Sequence, residues 1–87
     1  MLTLQECMDM SGLEVEEIEA IAEHERIPEM AAVELGNFLL STSQGRCCIK
    51  RMISERLDSA HRSGNRHHAA EMNRVLSRYV GMHPDCE

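Results

Sequence analysis

Three histidines and two carboxylates fall between positions 58 and 71: Asp58, His61, His67, His68 and Glu71. Imidazole and carboxylate are suitable ligands for zinc, nickel, copper or iron, and His67 with Glu71, four residues apart on a helix, could chelate one ion. His61, His67, His68 and Glu71 are thus the candidate ligands for zinc or another transition metal. No ExxH pair occurs in the chain, so the ligand set that di-iron bundle proteins use in duplicate is lacking. Histidines in the first turn of a helix are also ordinary solvated residues, and on that simpler reading no cofactor is expected.

A second chemistry-bearing pair is Cys47 with Cys48, beside Arg46, Lys50 and Arg51 near a helix start. Neighbouring positive charge and a helix N-terminus both favour thiolate, the form that a redox sensor or a soft-metal site needs. The competing reading makes Cys48, four residues before Met52, a small residue at the edge of the inner face. Cys7, Cys47, Cys48 and Cys86 form neither a CxxC pair nor a zinc-finger spacing, and no basic-plus-apolar leader stands before them. The thiols are read as reduced and the protein as cytoplasmic. His24, between Glu23 and Glu25, is a candidate proton sensor or an ordinary exposed residue of an acidic helix.

Charge is distributed unevenly. Residues 1–45 hold ten acids against Arg26 alone, a balance of −9, and residues 46–78 hold eight Arg or Lys against Glu55, Asp58 and Glu71, a balance of +5. With Asp85 and Glu87 the chain carries −6. Such asymmetry can pair the two halves within one chain or steer a partner or a second copy. Glu16, Glu19 and Glu23 are the residues expected to steer a basic partner. The basic set Arg46, Lys50, Arg51, Arg62, Arg66, Arg74 and Arg78 offers phosphate contacts to RNA, but no aromatic stacking platform accompanies it and the net charge opposes approach.

Length and composition bound the elements that must position these groups. Eighty-seven residues make a single domain, 1–87, and with one Phe, one Tyr and no Trp its core must come from Leu, Ile, Val, Ala and Met. Strand formers in alternation are absent, so the fold class is all-α. The longest apolar run falls far short of the roughly 20 residues a membrane span needs.

The pattern predicts a compact bundle of about five short helices over 4–10, 13–26, 28–41, 44–63 and 66–81. Thr3 with Glu6, and Ser11 with Glu14, fit capping boxes for the first two. The pair across Ser11 and Gly12 resembles the opening of helix-turn-helix domains, which would imply DNA binding; the acidic second helix would be repelled by phosphates. Pro28 breaks the chain at Ile27 and opens the third helix. Within 31–40 only Glu34 and Asn37 are polar, so 28–41 reads as the central buried helix, with Ala32 and Gly36 allowing close packing. Ser43 is the expected cap of the fourth helix and Asn65 of the fifth. Ile49, Met52, Ile53, Leu57 and Ala60 should face Met72, Val75, Leu76, Tyr79 and Val80 in a C-terminal antiparallel hairpin.

These short segments carry no nucleophile elbow and no glycine-rich phosphate loop, and they leave little room for a pocket, so an enzyme is not expected. The function read from the sequence is a small cytosolic, non-enzymatic protein-protein interaction or accessory protein, forming a homodimer, with the acidic or the basic face in contact. Leu2, Leu4 and Met8 offer an apolar edge for self-association. The alternatives are a metal or redox sensor and an RNA binder using the basic hairpin.

Overall fold

A computed structural model describes residues 3, 5, 6, 10 and 12–86, the last for its backbone only. Its helices are α1 (Val15–Glu25), α2 (Glu29–Leu40), α3 (Ser43–Arg62) and α4 (Arg66–Met82), followed by a 3-10 turn at Pro84–Cys86. Ahead of them the Thr3/Glu6 capping box is present: Glu6 N–H donates to Thr3 Oγ1 at 3.1 Å, and Thr3 N–H to Glu6 Oε1 at 3.3 Å. Residues 5, 6 and 10 of the helix expected at 4–10 are helical. Its other positions, and the edge Leu2, Leu4 and Met8, lie outside the described residues.

Local chemistry sets each boundary. Glu14 is extended and its N–H donates to the Glu17 carboxylate at 2.8 Å, so α1 is capped at Glu14 rather than at Ser11; Gly12, at φ 77°, turns the chain before it. Arg26 adopts the left-handed conformation that ends α1, and Pro28, extended at ψ 156°, caps α2. Only Ser41 and Thr42 separate α2 from α3. Thr42, not Ser43, supplies the cap, its hydroxyl accepting from Gly45 N–H at 2.9 Å. Asn65 caps α4 as its sequence suggests, accepting from His68 N–H at 3.1 Å.

The core is formed by Ile18 and Ile21 of α1, Ile49 and Ile53 of α3, and Met72, Val75 and Tyr79 of α4, all fully buried. Contacts Arg56–His68 and Arg46–Tyr79 show that α3 and α4 run antiparallel. The central element is α3, which packs against α1, α2, α4 and the 3-10 turn. Helix α2 is therefore not the buried centre expected of 28–41. Ala32, Val33 and Gly36 are buried, Leu35, Leu39 and Leu40 are half-covered, and Phe38 is 72% exposed.

Thickness gives the physical reason. The molecule measures 40 × 27 × 19 Å, and its shortest dimension accommodates two helix layers at roughly 8–10 Å spacing. Among the described residues no third layer covers the outside of α2. On its inner side a Cβ at Gly36 would meet Leu13 Cδ1 at 2.4 Å and Ile21 Cδ1 at 3.1 Å, so this glycine serves close packing. Among the described residues no helix is long and apolar enough to cross a membrane.

Candidate functional site

The charge imbalance is answered in part inside the chain. Arg56 faces Glu23 at 3.6 Å, Arg74 faces Glu16 at 3.8 Å, and Arg78 pairs with Glu14, so α1 is fastened to α3 and α4 by its acids. Of the three glutamates expected to steer a partner, Glu16 and Glu23 are engaged in these pairs and Glu19 is half-buried. The basic face is similarly reduced. Arg46 donates to Asp85 through Nη2 at 2.7 Å, and Arg74 and Arg78 are paired as above, leaving Arg51, Arg62 and Arg66 without an ion pair among the described residues.

The histidine cluster does not converge on one point. His68, not His67, faces Glu71, at 3.7 Å. Its other ring nitrogen lies 3.3 Å from Arg56 Nε. His67 is exposed at the helix start, and His61 lines an open groove with Arg66, Ala69, Ala70 and Asn73. Among the described residues no group of three or more His, Cys, Asp or Glu is arranged to hold a metal ion. The reason is orientation: residues 67 and 68 point about 100° apart on a helix, and Arg56 occupies the side toward α3.

The cysteines also part company. Cys47 is disulfide-bonded, with its Sγ 3.9 Å from the Asp85 carbonyl, whereas Cys48 is free and half-buried against the core. Cys47 and Cys48 are therefore not a working pair, and the reading of every thiol as reduced does not hold at Cys47. Folding brings the 3-10 turn onto the start of α3, a proximity that spacing along the chain does not reveal. Asp85, next to this point, has its carboxyl held below the usual range, first by hydrogen bonding from the Arg46 guanidinium and then by Ser43.

The feature with the geometry of a binding site is one that sequence patterning missed. Between α2 and α3, and closed at one end by α1, is an open groove of 280 Å³. Leu35, Leu39, Cys48 and Met52 form its apolar walls; His24, Glu25, Arg51 and Glu55 are its charged groups. A second groove, at the α3–α4 turn, reaches 360 Å³, so the surface has more concavity than five short helices suggested. His24 sits between two carboxylates, with Nδ1 2.7 Å from Glu25 and Nε2 2.8 Å from Glu55.

Phe38, the single phenylalanine, stands in solvent on α2 one turn beyond Glu34, and Met30 is exposed two turns before it. The signal available in the sequence was the same excess of apolar residues that suggested burial: a helix apolar on every side needs more neighbours than α1, α3 and α4 provide. No family model matches the chain, and neither a curated protein nor a solved structure does.

Proposed function

We propose that this protein is a non-enzymatic interaction or accessory protein whose contact surface is the α2–α3 face. One observation carries the reading: Phe38 is exposed beside an apolar groove, while Glu14, Glu16 and Glu23 are paired with arginines of the same chain. An exposed aromatic next to a groove of aliphatic side chains is the composition of an interface centre.

The test is a photoreactive phenylalanine analogue placed at position 38 or, as a control, at the exposed Met82, in cells that express the protein. A discrete cross-linked species from position 38 and none from position 82 is the expected result. Equal behaviour at the two positions contradicts the reading. We keep the cytoplasm as the proposed location although the Cys47 disulfide argues against it; Cys47 found oxidised in cells quenched with an alkylating agent removes that location.

A second reading, redox sensing at Cys47, draws on the disulfide, which exists only while that cysteine is oxidised. It requires the fold near Arg46 and Asp85 to change on reduction. Unchanged amide spectra there after treatment with dithiothreitol remove it.

A further inference from the structure

The exposed ring, the groove and two unpaired charges are complementary to one another, yet they belong to a single chain. Met30, Glu34 and Phe38 occur at successive turns of α2, so the acid and the ring project from one exposed line about 6 Å apart. The groove next to that line presents Leu35, Leu39 and Met52, with Arg51 at its edge. Its 280 Å³ compares with the roughly 150 Å³ of apolar space that holds a benzene molecule, so a phenyl ring fits with its side-chain stem.

The charges single out the occupant. Glu25 and Glu55, the groove's two acids, both contact His24, and Arg51, exposed at the edge, has no ion pair among the described residues. Glu34 has no ion pair among the described residues either. A surface that projects an aromatic with an acid one turn away, and holds a groove with an arginine at its edge, is matched by its own copy turned through a two-fold axis.

We infer that the α2–α3 face joins two copies of this chain, Phe38 of each entering the groove of the other and Glu34 of each meeting Arg51 of the other. This rests on the reading of that face as the contact surface and names what covers it. The arrangement is isologous, so each contact occurs twice and each residue change acts twice. It also covers the apolar side of α2 that the other described helices leave open.

Sedimentation equilibrium on the full chain tests it. The wild type should move from one 9.9 kDa chain to two as concentration rises. Phe38→Ala should weaken the dimer about 30-fold or more. Glu34→Arg and Arg51→Glu should each weaken it about fivefold, by placing like charges together. The double reversal should return it to within about twofold of wild type. All three positions are exposed, so the melting temperature of the dilute monomer should stay within a few degrees and serves as the control for folding. A wild type monomeric up to about 1 mM, or single reversals that change nothing, or a double reversal that fails to restore, overturns the inference. A monomeric wild type that still gives a position-38 cross-link to a different protein leaves the contact surface standing and removes only the second copy.

Discussion

The hydroxyl of Tyr79 donates a 2.6 Å hydrogen bond to the backbone carbonyl of Arg46, 33 residues away. Arg46 in turn donates through Nη1 to the Leu40 carbonyl at 2.8 Å and through Nε and Nη2 to Asp85. One residue therefore connects the end of α2, the start of α3, the body of α4 and the 3-10 turn.

Tyr79→Phe leaves the Arg46 carbonyl without its partner and should cost about 1 kcal/mol in chemical denaturation. Burial holds the phenol protonated beyond its usual pKa of 10.0. The folded chain thus keeps a proton that the unfolded chain releases; the stabilisation is whole below pH 10 and declines as pH rises past it. The variant should show a shallower alkaline decline.

Glu17 is 4% exposed, and its carboxyl is raised above 4.5, chiefly by burial and against the lowering effect of the Glu14 backbone N–H. A raised carboxyl binds its proton more tightly when folded, so the contribution is whole below pH 4.5 and is lost as pH climbs through the raised value. Glu17→Gln removes the buried charge and keeps an acceptor for the Glu14 N–H. Thermal melts should show the variant more stable at pH 7, with the advantage disappearing below pH 4.5.

Two glycines should respond in opposite directions to alanine. A Cβ at Gly45 would lie 2.0 Å from the Leu39 carbonyl oxygen, a backbone atom with no room to move in the two-residue turn between α2 and α3. Gly45→Ala should cost about 3 kcal/mol or more. At Gly81 nothing lies within 4 Å, and the residue sits inside α4; Gly81→Ala should gain about 0.5–1 kcal/mol. Urea unfolding of the two variants is the measurement.

The sequence reveals local structure here better than it reveals which surfaces meet. Asn65, Pro28 and the Met72, Val75, Tyr79 spacing act within a turn or two, so the starts of α2 and α4 and the buried stripe of α4 are readable from the chain. The charge imbalance was readable too, and part of it pairs within the molecule. Which helix is central was not, because the apolar perimeter of α2 says that it can be buried and not that enough helices exist to bury it. Phe38 and the Leu35 and Leu39 groove escape periodicity for the same reason. The histidines looked convergent in sequence, but Arg56 reaches His68 first.

Reducing the Cys47 disulfide should lower stability by about 2–4 kcal/mol, the usual contribution of such a bond. Cys47→Ser should reproduce that loss and make the chain insensitive to dithiothreitol. Cys48→Ser should leave the sensitivity intact, since Cys48 is free. Melting curves with and without reductant check all three.

The chain's single phenylalanine makes one fluorine label sufficient to report on the proposed contact face. With 4-fluorophenylalanine at position 38, a water-soluble paramagnet should relax the one resonance strongly in dilute protein, where the ring stands in solvent. That relaxation should fall severalfold in concentrated protein or in a lysate of expressing cells, where the ring is covered. A ring equally accessible in all three settings would contradict the account.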